Sequence, residues 1–132
     1  MPRADARNDR FVMRTIAVVE DNPSMLQGLS RLLSAHGFRV RTFASAELFL
    51  NDIAKCEADC LLLDIHLGGI SGIELHRKLT ASGADLPVIF MTAVDNEATR
   101  QEAFDTGCVA YLRKPFRATV LIEAINRAGV PN

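Results

Sequence analysis

The chain has 132 residues, enough for one domain with a real core and too few for a second. Apolar residues make up 48% and charged residues 23%, the balance of a globular protein and not of a disordered one. Fifteen Lys and Arg against sixteen Asp and Glu give a net charge of −1, which excludes a broad basic surface for nucleic acid.

Residues 1–13 are polar and aperiodic and read as a flexible N-terminal extension, ahead of a domain spanning 14–129. Their arginines alternate with Asp5, Asn8 and Asp9, without the apolar stretch of a secretory signal. Thr15–Val19 is a short apolar run that suits a strand buried on both faces. Asn22 and Pro23 then supply an N-cap and a first helical position, with Met25, Leu26, Leu29, Leu32 and Leu33 at helical spacing. Gly37 stands where a helix C-terminal glycine is expected. Phe38–Phe43 is strand-like, and Ser45 caps a helix running to about Ala54. Cys60–Asp64 reads as another buried strand, followed by the turn Gly68-Gly69-Ile70-Ser71-Gly72 and a helix from Ile73 to Ala81. Pro87 introduces the strand Val88–Thr92, and a helix over Asn96–Thr106 is closed by Gly107. Cys108–Leu112 is the fifth expected strand. The last helix spans Arg117–Arg127, with Val120, Leu121, Ala124 and Ile125 on its apolar side.

No run approaches the ~20 apolar residues of a membrane span, so no membrane contact is expected and the cytoplasm is the expected compartment. Cys56, Cys60 and Cys108 are odd in number, form no C-x-x-C and lie in or beside apolar segments, which suits buried free thiols. His36, His66 and His76 have no ligand spacing relative to them, so no zinc site is expected.

Five strands alternating with five helices imply an α/β fold, a parallel sheet with helices on both faces and right-handed crossovers. Ligands of such sheets bind at the carboxyl ends of the strands, near the switch in strand order. Polar residues fall there: Glu20 and Asp21 after strand one, Asp64 at the end of strand three, Thr92 at the end of strand four, and Lys114-Pro115 after strand five. Any one of these alone reads as a helix cap, a turn or a surface residue. Three carboxylates on one edge repel one another unless a cation sits among them, and an all-oxygen site suits Mg²⁺.

These motifs resemble the receiver domain of bacterial two-component response regulators. The resemblance rests on Val-Val-Glu-Asp-Asn at 18–22, Leu-Leu-Leu-Asp at 61–64 with Gly72 eight residues later, Met-Thr-Ala at 91–93 and Tyr-Leu-Arg-Lys-Pro-Phe at 111–116. It covers residues 14–128, with a texture similar to receivers of the LuxR/FixJ type. It implies the (βα)5 flavodoxin-like receiver fold and a phospho-accepting signalling switch rather than an enzyme in the usual sense. Asp64 matches the phospho-acceptor, Asp21 the main Mg²⁺ ligand, Glu20 a carboxylate acting largely through water, and the His66 main-chain carbonyl the third protein ligand. Thr92 matches the hydroxyl that contacts the phosphoryl group, with the Ala93 N–H nearby. Lys114 matches the lysine that pairs with a phosphoryl oxygen, and Tyr111 the aromatic rotamer switch. Lys114-Pro115 matches a peptide that is cis in the family, while His66 and Val94 occupy positions that vary and set phosphoryl lifetime. Gly68 departs from the pattern, since the family often has proline there.

The implied partners are a sensor histidine kinase or a histidine phosphotransfer protein. Helix four, strand five and helix five offer Glu97, Arg100, Gln101, Asp105, Arg113 and Arg117 around Val109 and Tyr111, a face for a phosphorylation-dependent homodimer or partner complex. No direct nucleic-acid binding by this chain is expected. One competing reading is a degenerate receiver acting by contacts alone. Another is a haloacid-dehalogenase-like phosphatase, which needs a second aspartate where His66 stands. A flavodoxin needs a phosphate loop that Glu-Asp-Asn-Pro at 20–23 does not provide.

Overall fold

Continuous apolar strands need cover on both faces, and the architecture supplies it. The computed structural model describes residues 14–129; the expected N-terminal extension, residues 1–13, lies outside the described residues. Strands β1 (Thr15–Val19), β2 (Arg39–Phe43), β3 (Cys60–Asp64), β4 (Val88–Thr92) and β5 (Ala110–Arg113) alternate with helices α1 (Pro23–Ala35), α2 (Ala46–Cys56), α3 (Gly72–Ala81), α4 (Glu97–Asp105) and α5 (Ala118–Arg127). All pairings are parallel, in the order β2-β1-β3-β4-β5. The order reverses at β1, so the crevice for a ligand lies at the carboxyl ends of β1 and β3.

The period-2 alternation of the strands divides the core. Ile16, Val18, Leu62, Ile89 and Met91 pack with Leu29 and Leu33 of α1 and Leu121, Ala124 and Ile125 of α5. Ala17, Val19, Leu61, Leu63 and Phe90 pack on the opposite face with Phe49 of α2, Leu75 and Leu79 of α3, and Ala103 of α4. Four of the five strand-to-helix corners are closed by a side-chain cap, the exception being α5, whose N-cap Arg117 makes no such bond. The side chains of Asn22, Ser45, Ser71 and Asn96 each accept a hydrogen bond from the backbone N–H three residues on. Among the described residues no helix is long and apolar enough to cross a membrane.

The differences from the sequence reading are small and physical. Helix α2 runs on to Cys56, which is buried, and ends on Glu57 at φ +50°. Strand β5 begins at Ala110, not Cys108, because its ladder starts where Ala110 pairs with Ile89; Cys108 and Val109 belong to the incoming loop. Val120 is 40% exposed and does not join Leu121, Ala124 and Ile125 against the sheet. The Lys114–Pro115 peptide is cis, as the resemblance implies.

Candidate functional site

Glu20 leaves β1 with its N–H bonded to the Phe43 carbonyl at 3.0 Å, and its side chain is turned inward, 1% exposed. One carboxylate oxygen accepts from the Asn22 N–H at 3.0 Å, the other from Lys114 Nζ at 2.5 Å. Asp64 ends β3 and is also buried. Its Oδ1 accepts from the His66 N–H at 3.0 Å, and its Oδ2 from Lys114 Nζ at 3.1 Å. Asp21 is exposed and its Oδ2 accepts from the Gly68 N–H at 3.3 Å. One oxygen from each of the three carboxylates lies within 4.8 Å of the others. The donor set contains oxygen alone, with no thiolate or imidazole, so it fits a hard cation such as Mg²⁺.

Lys114 is the only cation bonded to this cluster among the described residues. Burial works against its charge, but the hydrogen bond to Glu20 and the charge of Asp64 outweigh that penalty and raise its pKa above the usual lysine value. It stays an ammonium throughout the neutral range.

Thr92 ends β4 and is fully buried. Its hydroxyl donates to the Val94 carbonyl at 2.8 Å and accepts from the Val94 N–H at 3.0 Å, so it is closed within its own turn. Tyr111 pairs with Phe90 across the β4–β5 ladder, and Thr92 follows two residues after Phe90, on the same face. The Tyr111 hydroxyl donates to Asp95 Oδ1 at 3.1 Å. Arg100 donates to Asp95 Oδ2 at 2.6 Å, and its guanidinium carbon lies 5.7 Å from the centre of the Tyr111 ring. Phe104 stacks at a tilt, 6.1 Å away. Burial and the neighbouring Asp95 carboxylate push the Tyr111 phenol above its ordinary pKa.

The structure therefore gathers Glu20, Asp21, Asp64 and Lys114, and sets Thr92 and Tyr111 on one face beside them. His66 is exposed and reaches Asp64 through its main chain. Two residues of this region escaped the sequence reading. Asp95 had no signal beyond its place three residues after Thr92, and the exposed apolar group beside Tyr111 is Phe104, not Val109. Val109 packs into the α1/α5 layer, on the other side of the sheet. On the expected contact face, Arg100 is already paired with Asp95, and Gln101 with Asp105 at 2.9 Å. The three cysteines are free thiols, and burial pushes Cys60 up to about 12 and Cys108 to about 11.

Comparison with known proteins bears on the family and the fold. The profile of the family described as "Response regulator receiver domain" matches residues 16–126. The chain is 35% identical over 113 residues to response regulator protein TmoT of Ectopseudomonas mendocina, a match covering 86% of this chain and 51% of that protein. It is 33% identical over 119 residues to transcriptional regulatory protein FixJ of Bradyrhizobium diazoefficiens, covering 88% and 58%. Among solved structures, the crystal structure of FixJ-N superposes with a TM-score of 0.82 at 33% identity, covering 89% of this chain and 94% of that one. The chain spans about half the length of the curated relatives it matches. Some of those longer relatives are transcriptional regulatory proteins, so the expectation that nucleic acid is left untouched gains no support.

Proposed function

The chain belongs to the response regulator receiver domain family, and from that premise we propose that Asp64 accepts a phosphoryl group from a phosphohistidine. The donor is a sensor histidine kinase or a histidine phosphotransfer protein, met in the cytoplasm. The observation that carries this reading is Lys114 Nζ, shared between Glu20 and Asp64 at the carboxyl ends of β1 and β3.

In the transfer, an Asp64 carboxylate oxygen attacks phosphorus, the P–N bond breaks, and its electron pair returns to the donor imidazole. Lys114, already beside Asp64 Oδ2, takes up the phosphoryl charge with little movement. The His66 N–H holds the other Asp64 oxygen and so fixes the orientation of the carboxylate. Glu20, Asp21 and Asp64, with the His66 main-chain carbonyl, would hold Mg²⁺, which when bound neutralises charge on the transferring group. Slow loss of the phosphoryl group to water resets the domain.

A phosphoryl group on Asp64 adds acceptor oxygens that compete with the Val94 carbonyl for the Thr92 hydroxyl. Movement of Thr92 vacates space on the face it shares with Tyr111, and Tyr111 turns inward. Tyr111 then leaves Asp95, and the α4–β5–α5 surface changes its contacts with a second copy of the chain or with an output partner.

Incubation with acetyl phosphate and Mg²⁺, followed by intact mass measurement, tests the proposal. One phosphoryl mass should appear on the wild-type chain and none on Asp64→Asn. A gain that persists in Asp64→Asn overturns the assignment.

A further inference from the structure

Gly68 stands where the resemblance leads one to expect proline, and the site gives that difference a use. A proline has no N–H; Gly68 donates one to Asp21 Oδ2 at 3.3 Å. The other two carboxylates of the cluster are held on both oxygens, Glu20 by Lys114 and the Asn22 N–H, Asp64 by Lys114 and the His66 N–H. Asp21 has the Gly68 bond alone among the described residues, and it is exposed. Its rotamer therefore depends on one amide of the β3–α3 loop.

That loop is shaped to present the amide. Gly69 has φ +83°, a left-handed conformation that reverses the chain. The next N–H, of Ile70, is taken by Glu47 Oε2 of α2 at 3.3 Å. Two carboxylates on different elements thus tie down two amides of one short loop. Gly68 itself is not in the left-handed region, and a Cβ built on it meets nothing within 4 Å. The backbone at 68 accepts any residue with an N–H, so its donor is the feature to test.

We infer that Gly68 is a positioning residue for the cation site: its amide orients the Asp21 carboxylate toward Glu20 and Asp64 and thereby tightens Mg²⁺ binding. A carboxylate has two oxygens, so one accepts from Gly68 while the other stays free for the cation. An outer-shell donor of this kind fixes the ligand before the cation arrives, and the ordering cost at binding falls. The inference rests on the metal reading given above.

The test compares Gly68→Pro, which removes the donor, with Gly68→Ala, which keeps it. Mg²⁺ is titrated into each full chain and followed by amide chemical shifts. Loss of one exposed, charge-assisted hydrogen bond should weaken binding about threefold to tenfold in Gly68→Pro. Gly68→Ala should bind as the wild type does. Equal affinity in all three chains, tighter binding in Gly68→Pro, or equal weakening in both variants overturns the inference while leaving the metal reading intact. A wild-type titration without saturation removes both. If Gly68→Pro does not fold, the Gly68 amide resonance decides, since Asp21→Ala must shift it; an unmoved resonance overturns the inference.

Discussion

The phenol of Tyr111 is tied to the carboxylate of Asp95, 3.1 Å from oxygen to oxygen, and the same carboxylate holds Arg100 over the Tyr111 ring. The tie keeps the tyrosine facing α4 while the Thr92 hydroxyl is engaged with Val94.

Tyr111 is the chain's one tyrosine, and there is no tryptophan, so phenolate absorbance reports this residue alone. Burial and Asp95 both raise its pKa, so it should ionise above the usual phenol range. Asp95→Ala removes the second cause and should move the midpoint downward. Coincident spectrophotometric titrations of the two chains would contradict the contact.

Lys114 neutralises two buried carboxylates. Lys114→Met keeps the length of the side chain and leaves Glu20 and Asp64 facing each other unpaired. Stability in denaturant melts should fall by about 2 kcal/mol, and added Mg²⁺ should recover more of it in the variant than in the wild type. A variant as stable as the wild type in chelator would show that the ammonium contributes nothing to folding.

Gly72 packs where no side chain fits. A Cβ there would lie 2.3 Å from the Asp64 carbonyl oxygen and 2.9 Å from the Ile65 Cα, both main-chain atoms. Gly72→Ala should cost about 3 kcal/mol, because α3 must move away from the end of β3. Thermal unfolding of this variant should fall well below that of Gly68→Ala, whose added methyl meets open space. Equal melting of the two would refute the close approach.

His76 of α3 is buried, edge-on to Phe90, with Nδ1 2.8 Å from the Thr106 hydroxyl. That hydroxyl gives its one hydrogen to the Ala103 carbonyl, so at His76 it must accept, and Nδ1 carries the proton. Burial lowers the His76 pKa below its ordinary value. The sign follows: its contribution to stability is complete above about pH 6.5 and is lost as pH falls through the lower folded value. His76→Gln keeps a donor but does not titrate, so its stability should fall less between pH 7.5 and pH 5.5 in paired urea melts. Parallel curves would contradict the assignment.

Strands β1, β3 and β4 were legible because a parallel strand covered on both faces leaves an uninterrupted apolar run in the sequence. The residues after them, Glu20, Asp21, Asp64 and Thr92, were legible for the same reason, since the end of each run marks the edge where ligands bind. Strand β5 was read two residues early: Cys108 and Val109 are as apolar as a strand, but the ladder to β4 sets the start. Asp95 was hidden because its partners, Tyr111 and Arg100, are brought to it by the packing of α4 on β5 and by no local pattern. His76 lies among Ile73, Leu75 and Leu79, and its burial follows from Phe90 across the helix–sheet contact.

The bond between Glu20 and Lys114 spans 94 positions of the chain, and β5 is an edge strand paired with β4 alone. During synthesis the carboxylates therefore emerge long before the ammonium that answers them. β1 and β3 can pair while the ribosome is still at work, but their acidic ends stay uncompensated until residue 114 is out and β5 has docked. The acidic cluster is thus the last part of the sheet to gain its cation, and a chain released short of Lys114 carries a nearly complete sheet with an uncompensated acidic edge.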